Sequence, residues 1–233
     1  MKLLRSTIEL TNRSLGRLKA GRRVDVPSGL DQVKLNLGCG LAVTRGWVNI
    51  DGSLNALIAS LPGFTHRLMY RLTGARQYYS EDEYCRLQGE HIFIHHDLAT
   101  GIPLKDMVAD FIYSSHFFEH LYRKDALNLL GECHRVLKPE GVLRLALPDL
   151  EYAVSLYASG RKDEMLQNYF FVEDADNHYS RHKYMYDYEM LVSLLHKAGF
   201  RDIARCSYRE GRVPDSDVLD NRPDESLYIE AIK

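Results

Sequence analysis

Short apolar runs alternate with amphipathic segments along most of the chain. Seven runs have the length and apolar content of β-strands: 33–37, 47–50, 91–95, 109–113, 142–147, 203–208 and 227–232. Helical periodicity is found at 123–137 and at 187–198. Strands that alternate with helices predict an α/β fold with a mostly parallel sheet covered on both faces. Because no helical pattern separates the last two runs, we expect them to pair directly and one strand to be antiparallel.

Polar residues follow most of these runs at the point where each strand is predicted to end. They are Gly38-Cys39-Gly40, Asp51, Asp97, Ser114-Ser115-His116 and Asp149. In an open parallel sheet, ligands bind outside the carboxyl ends of the strands. The sequence therefore predicts that the functional site lies at this edge of the sheet.

The chain divides into an N-terminal arm, residues 1–30, and one domain, residues 31–233. The arm has seven Lys or Arg against two acids, and its apolar residues fall close to one helical face. A basic helix of this kind can pack on its own domain, cover an active site or make weak contact with an anionic membrane surface. Two long stretches, 53–90 and 150–186, are rich in tyrosine. We interpret them as lid-like helical insertions that build the substrate pocket, with helical padding or an oligomer interface as alternatives.

Composition excludes several classes of protein. The 233 residues carry 30 basic and 32 acidic side chains, a net charge of −2. This balance disfavours a general nucleic-acid binder, which has a large basic excess. No apolar run reaches the roughly 18 residues of a membrane span, and the first residues lack the apolar core of a signal peptide. The four cysteines are far apart and form no CxxC pair, so we predict a reducing, cytoplasmic environment.

A glycine-rich loop follows the first predicted strand. Gly38 and Gly40 let backbone amides approach a ligand closely, and Asp51 can accept hydrogen bonds from both hydroxyls of a ribose. Only eleven positions separate Gly40 from Asp51, whereas dinucleotide-binding folds need about twenty. Val43 stands where the third glycine of GxGxxG would fall, so the loop disfavours NAD.

The sequence resembles the class I S-adenosylmethionine-dependent methyltransferases. The resemblance is carried by the motifs Leu35-Asn-Leu-Gly-Cys-Gly40, Asp51, Asp97-Leu98, Ser114-Ser-His-Phe-Phe-Glu-His-Leu121 and Arg135-Val-Leu-Lys-Pro-Glu-Gly-Val-Leu143. The motifs are most similar to those of small bacterial methyltransferases linked to surface-polysaccharide modification. This resemblance implies a Rossmann-like, seven-stranded, mostly parallel sheet with one antiparallel strand and helical insertions, and S-adenosyl-L-methionine as cofactor.

The same resemblance implies the residues that would bind the cofactor. They are Asn36, Leu37, Gly38, Cys39, Gly40, Asp51, Gly52, Asp97, Leu98, Ser114 and Ser115. Two departures from the family pattern stand out. Asn36 replaces the usual acid of the first loop, and the short run to Asp51 requires the helix after the first strand to be abbreviated or replaced by a loop.

A histidine and glutamate cluster follows the fourth predicted strand. His116, Glu119 and His120 would share one face of a helix starting there, and His178 and His182 form a second set. The arrangement is similar to the metal site of small-RNA 2′-O-methyltransferases and ubiquinone-pathway O-methyltransferases. Glu119 and His120 match that pattern directly, His182 matches its distant histidine, and His116 stands where a glutamate would be. Histidine in place of this glutamate removes one negative charge from the site, which favours Zn²⁺, Mn²⁺ or Fe²⁺ over Mg²⁺. A metal-free acid–base role and a purely structural role remain open.

These features predict O-methylation of a small molecule or saccharide, with His116 as base or metal ligand. His120 and Asp149 are further catalytic candidates, and Tyr113 is a weaker one. The arginines and tyrosines of 53–90 suit a sugar acceptor. An RNA 2′-O-methyltransferase is one alternative, although only the arm is basic. A non-catalytic S-adenosylmethionine-binding or scaffold protein is the other.

Overall fold

The computed structural model describes residue 19 and residues 21–71, 74–170 and 181–233. Residues 1–18 and 20, which make up most of the predicted arm, lie outside the described residues. The same holds for 171–180, a part of the second insertion that contains His178.

Seven strands form one sheet in the order β3-β2-β1-β4-β5-β7-β6. Their bounds are β1 Lys34–Leu37, β2 Trp47–Asp51, β3 Ile92–His95, β4 Ala109–Ser115, β5 Leu137–Pro148, β6 Arg201–Cys206 and β7 Ser226–Ile232. Strands β1 to β5 pair in parallel, and β7 is antiparallel to both of its neighbours, β5 and β6. The predicted fold class, a mostly parallel sheet with one antiparallel strand, is confirmed.

Eight α-helices connect the strands in the described part of the chain. They are α1 Leu54–Ala59, α2 His66–Tyr70, α3 Glu81–Glu90, α4 Arg123–Val136, α5 Leu150–Ala158, α6 Lys162–Met165, α7 Tyr188–Lys197 and α8 Ser216–Leu219. Acceptor side chains begin three of them, because the first amides of a helix lack intrahelical partners. Ser80 caps α3, Asp149 caps α5 and Asp187 caps α7. Short 3₁₀ turns at Gly63–Thr65, Gly74–Gln77, Leu98–Thr100 and Phe118–His120, and a π turn at Leu166–Phe170, complete the connections.

Two strands begin at least two residues away from their predicted start. β5 begins at Leu137 rather than at 142, because Leu137 pairs with Ala109 of β4 before a shift in register. The Lys-Pro-Glu-Gly turn is therefore absorbed as an irregularity within the strand, where Glu140 has φ +64. β6 begins at Arg201, which pairs with Ile232, and the connection from β6 to β7 contains α8 instead of a polar loop alone.

The two faces of the sheet are covered differently. α4 and α7 pack on one face and bury the larger core. Along the sheet, the step from β1 to β2 runs in the opposite direction to the step from β4 to β5. Right-handed crossovers therefore place the β1–β2 connection on the face opposite to α4. Residues 38–46 form no helix there, as the short spacing predicts. The β6–β7 connection covers part of this face instead, with Val213 and Leu219 buried against Trp47 and Tyr113.

Candidate functional site

The glycine loop at the tip of β1 has a backbone that other residues would strain. Gly38 has φ +67 and Gly40 has φ +54, a left-handed region that favours glycine. The amide of Gly38 donates to Ile50 O at 2.9 Å. A Cβ on Gly38 would overlap the ring of Phe117, whereas a Cβ on Gly40 would meet open space. Gly38 is therefore required by both conformation and packing, and Gly40 by conformation alone.

Asp51 ties the loop to the end of β2. Its two carboxylate oxygens accept from the amides of Gly40 at 2.8 Å and Ser53 at 2.6 Å. Asn36, the departure from the family pattern, donates from Nδ2 to Ala42 O at 2.9 Å and so fixes the far side of the loop. Burial, followed by the charge of Asp51, raises the pKa of the Cys39 thiol, which makes this cysteine unreactive.

The other predicted cofactor residues lie at the neighbouring strand ends. Leu37 pairs with Ser114, whose hydroxyl donates to Leu37 O at 2.9 Å. Asp97 caps the turn Leu98–Thr100 by accepting from Ala99 N at 3.1 Å. Gly52 lies beside the backbone of His96, whose carbonyl oxygen would be 3.3 Å from a Cβ at that position. The sheet therefore brings the whole predicted set to one edge, and its role in binding stays a prediction.

Two residues at this edge were not among the predicted site residues. Phe117 covers Gly38, as described above. Lys19 Nζ lies 3.1 Å from His95 Nδ1 and donates to His95 O at 3.3 Å. His95 pairs with Asp51 across β2 and β3. Burial, followed by the charge of Lys19, lowers the pKa of His95. Contacts between residues so distant in the chain follow no periodicity, so the sequence could not have indicated them.

No helix starts directly after β4, although a shared helix face for His116, Glu119 and His120 would require one. His116 has φ +48, a strained conformation for a residue with a side chain, and its amide donates to Ala146 O at 2.8 Å. One 3₁₀ turn, Phe118–His120, follows, and α4 begins only at Arg123. The expected sharing of one helix face is therefore wrong. The side chains converge nevertheless: Glu119 Oε1 is 3.5 Å from His116 Nδ1 and 3.8 Å from His120 Nε2.

His182 joins this group from a distant part of the chain. The amides of Lys183 and Tyr184 donate to Glu119 O at 2.7 and 3.2 Å and hold the segment against the turn. Glu119, His120 and His182 each offer one potential ligand atom, and these three atoms lie within 4.8 Å of one another. The imidazole rings of His120 and His182 are 5.2 Å apart. We call His116, Glu119, His120 and His182 the His/Glu cluster. The four predicted metal candidates are thus close together.

Each imidazole of the cluster is oriented by a second partner. Nδ1 of His120 is 3.2 Å from Arg181 O, and Nδ1 of His182 is 2.7 Å from Tyr169 O. A carbonyl oxygen only accepts, so Nδ1 carries the proton and Nε2 is left with a lone pair. Burial lowers the pKa of His182, which favours the neutral form that binds metals.

The carboxylate of Glu119 is the unusual member of the cluster. It is 1% exposed, and among the described residues neither of its oxygens has a hydrogen-bond partner. His116 Nδ1 is also buried and unpartnered, while its Nε2 lies 3.0 Å from Ser226 Oγ. A buried carboxylate without hydrogen bonds is costly. The carboxylate of Glu119 and the imidazoles of His120 and His182, whose ligand atoms lie close together, fit a divalent ion of borderline hardness.

The two other catalytic candidates are engaged elsewhere. Asp149 accepts from Glu151 N at 2.9 Å and from Arg205 Nη2 at 2.7 Å, and burial raises its pKa. It lies at the end of β5 beside the cluster, because its amide donates to Glu225 O at 2.9 Å, next to Ser226. Tyr113 lies away from this edge. Its hydroxyl donates to Leu219 O at 2.9 Å, in the apolar cluster that contains Trp47 and Val213.

The first insertion exposes several large apolar side chains. Phe64 is 85% exposed, and Leu61, Leu68 and Tyr78 are exposed as well. Its helices α1 to α3 pack on one another, and whether they close over a substrate stays a prediction. Among the described residues, the helices are all too short or too polar to cross a membrane.

Comparison with known proteins gives the class. Residues 59–145 match the family model described as a methyltransferase domain. Among solved structures, the apo form of SibL, an S-adenosylmethionine-dependent methyltransferase, is 17% identical over 99% of this chain and 56% of its own, with a TM-score of 0.51. A possible histamine N-methyltransferase from Thermotoga maritima is 18% identical over 100% of this chain and 97% of its own, with a TM-score of 0.50. No curated protein matches.

These likenesses to solved structures show the fold, which is that of the class I methyltransferases. The match of residues 59–145 to a methyltransferase domain agrees with this fold and supports S-adenosylmethionine-dependent methyl transfer as the activity.

Proposed function

We propose that this methyltransferase transfers the methyl group to a hydroxyl of a small molecule or saccharide, with His116 as base or metal ligand. A cytoplasmic location and a role in surface-polysaccharide modification belong to the same proposal. The observation that carries it is the buried Glu119 carboxylate, which faces three imidazoles and has no hydrogen bond among the described residues.

Oxygen is favoured as the methylated atom by the kind of groups present. Methyl transfer from a sulfonium is an in-line displacement in which the cofactor supplies the electrophile. An alcohol must lose a proton as it attacks, whereas a neutral amine has a free electron pair. A histidine paired with a carboxylate is suited to remove that proton at neutral pH.

His116 has the geometry of such a base. His116 Nε2 lies 3.0 Å from Ser226 Oγ. In this proposal Nε2 carries the proton and donates it to the hydroxyl, which leaves Nδ1 unprotonated. A proton taken from the acceptor hydroxyl at Nδ1 creates an imidazolium 3.5 Å from Glu119 Oε1. The buried carboxylate stabilises that positive charge. The position is next to the cofactor loop, because Phe117 lies directly over Gly38.

The His/Glu cluster would also hold a divalent ion. Glu119, His120 and His182 would be its ligands and His116 a fourth. A bound ion lowers the pKa of a hydroxyl beside it. Three imidazoles and one carboxylate favour Zn²⁺, Mn²⁺ or Fe²⁺ over the harder Mg²⁺.

The first insertion supports a saccharide as acceptor. It presents exposed aromatic side chains, Phe64 and Tyr78, and three arginines, Arg67, Arg71 and Arg76. Aromatic faces stack on sugar rings, and arginine pairs with carboxylate or phosphate groups. In this proposal the insertion closes over the acceptor as a lid.

The cofactor part is tested by calorimetric titration with S-adenosylmethionine and S-adenosylhomocysteine, on protein whose metal content has been assayed. Wild type should bind both at micromolar concentration. Gly38→Ala should abolish binding, whereas Gly40→Ala, which has the same backbone strain but no overlap with Phe117, should weaken it less. Adding Phe117→Ala to Gly38→Ala should restore part of the affinity. Folded wild type that binds neither ligand would contradict the proposal.

The acceptor part is tested by following S-adenosylhomocysteine production with nucleotide sugars and glycans. His116→Ala should lower turnover by about 100-fold or more. His196→Ala, a change at an exposed histidine of α7, is the matched control and should have no effect. Cofactor binding with no turnover of any acceptor would instead indicate a non-catalytic binding protein.

A further inference from the structure

A second unsatisfied polar group lies near the His/Glu cluster. Tyr169, in the π turn Leu166–Phe170, is 2% exposed. Its hydroxyl is buried and has no hydrogen-bond partner in the part of the chain that the structure describes. A buried hydroxyl without a partner is destabilising. Such a group in a native protein requires an explanation, and a ligand that forms a hydrogen bond with it would provide one.

Tyr169 is directly connected to the cluster. Its carbonyl oxygen holds His182 Nδ1 at 2.7 Å. Its ring packs against Tyr152, with ring centroids 6.4 Å apart. Burial raises the pKa of the Tyr169 hydroxyl, and the charges of Glu225 and Asp149 raise it further. Because Tyr152 lies in the first turn of α5, which Asp149 caps, the Tyr169 ring lies near the end of β5.

The end of β5 is in turn connected to the cluster through β7. Asp149 N donates to Glu225 O at 2.9 Å. The next residue, Ser226, has its Oγ 3.0 Å from His116 Nε2. From the other side, Tyr169 reaches the cluster through His182. The ends of β5 and β7, the π turn and the cluster thus bound one region at the carboxyl edge of the sheet.

The charges in this region favour a neutral ligand. Asp149 is paired with Arg205 at 2.7 Å, and Glu225 with Arg222 at 3.4 Å. An anionic group placed here would meet two carboxylates whose cations are already engaged. A ligand hydroxyl can accept from the tyrosine and donate to a carboxylate at the same time.

We propose that Tyr169 is an acceptor-binding residue whose hydroxyl donates a hydrogen bond to an uncharged, polyhydroxylated acceptor, such as a sugar ring, beside the hydroxyl that is methylated. This inference rests on the proposed function. It specifies that the part of the acceptor next to the methylated hydroxyl is uncharged and carries further hydroxyl groups. The Arg-rich first insertion would contact more distant, charged parts of the same molecule.

Tyr169→Phe removes the hydroxyl alone and leaves the carbonyl that orients His182. Its melting temperature should equal or exceed that of wild type, because an unpartnered hydroxyl is lost. Tyr157→Phe is the matched control, since Tyr157 is 53% exposed on α5. S-adenosylhomocysteine binding should be the same in all three proteins.

Acceptor binding is measured by saturation-transfer NMR on the S-adenosylhomocysteine complex. The probes are the methyl glycosides of glucose, galactose, mannose and rhamnose. At least one glycoside should bind to wild type and to Tyr157→Phe, with affinity lowered about fivefold to tenfold in Tyr169→Phe, the loss of one hydrogen bond.

Four outcomes would overturn the inference. A lower melting temperature for Tyr169→Phe would mean that the hydroxyl has a structural partner. Equal glycoside binding by Tyr169→Phe and wild type, or no glycoside binding at all by a protein that binds S-adenosylhomocysteine, would refute the acceptor role while leaving the methyltransferase intact. Failure to bind S-adenosylhomocysteine would refute the proposed cofactor site as well.

Discussion

Two buried charge clusters lie on the same sheet, and they are satisfied to very different degrees. In the first, Arg144 of β5 is fully buried and binds Asp220 at 2.5 Å and Glu230 at 3.0 Å. Its guanidinium also donates to two backbone carbonyls, those of Ser207 and Glu210. The carboxylates in turn accept backbone amides of the β6–β7 connection. We call this group the arginine cluster.

The His/Glu cluster shows the opposite pattern. Glu119 is as deeply buried as Arg144, yet its oxygens have no hydrogen bond within the described residues, and the nearest imidazole nitrogen is 3.5 Å away. A structural cluster must be complete in the folded chain, because nothing else will complete it. Our proposal explains the difference: the His/Glu cluster, incomplete among the described residues and with every imidazole held by an outer partner, is completed by what it binds.

The largest effect should come from breaking the complete cluster. Arg144→Ala leaves two buried carboxylates without their cation and should lower the free energy of unfolding by about 3–5 kcal/mol. Urea denaturation followed by circular dichroism measures it. Arg161→Ala, which removes an exposed ion pair with Glu164, is the control and should have a far smaller effect, because solvent screens exposed ion pairs. Similar losses for the two variants would remove the distinction between the clusters.

The incomplete cluster should respond in the reverse sense. Glu119→Gln removes an uncompensated buried charge at nearly constant shape, so stability should be unchanged or higher, whereas methyl transfer should fall by about 100-fold, or roughly 2.7 kcal/mol. Glu189→Gln, at an exposed position of α7, should alter neither. A clear loss of stability in Glu119→Gln, with activity retained, would show that the carboxylate has a structural role.

The sheet could be predicted from the sequence because its signals are local. Apolar runs and their polar ends locate the seven strands, and the eleven-residue spacing before Asp51 predicts the missing helix. The boundaries of β5 and β6 were wrong because they depend on pairing with β4 and β7, which no local pattern records.

The proximity of the candidate site residues could be predicted from the sequence, whereas their geometry could not. The spacing of His116, Glu119 and His120 indicated their proximity, but a helix was expected where His116 has a left-handed backbone and a 3₁₀ turn follows. The outer partners Ser226 and Tyr169 had no signal, since they come from β7 and a π turn far along the chain. Such contacts are set by tertiary packing alone.

Metal addition should distinguish the clusters without any change in sequence. An ion that binds only the folded state stabilises it by mass action, about 1.4 kcal/mol at ten times its dissociation constant. Zn²⁺ or Mn²⁺ added to metal-free protein should therefore raise the melting temperature of wild type, and Mg²⁺ should do so less. Glu119→Gln and His182→Ala should lose the response, and Arg161→Ala should keep it. An equal response in all four proteins would place the bound metal elsewhere.

The smallest effect should come from an outer partner of the cluster. Ser226→Ala removes the hydroxyl 3.0 Å from His116 Nε2, and a single neutral hydrogen bond contributes about 1 kcal/mol. We expect kcat/KM to fall about fivefold, with S-adenosylhomocysteine affinity and melting temperature unchanged. Ser226→Thr retains a hydroxyl and should restore most of the rate, which a merely structural contact would not predict. A rate for Ser226→Ala equal to wild type would mean that His116 is oriented by its backbone and by Glu119 alone, so that the unsatisfied cluster needs no support from β7.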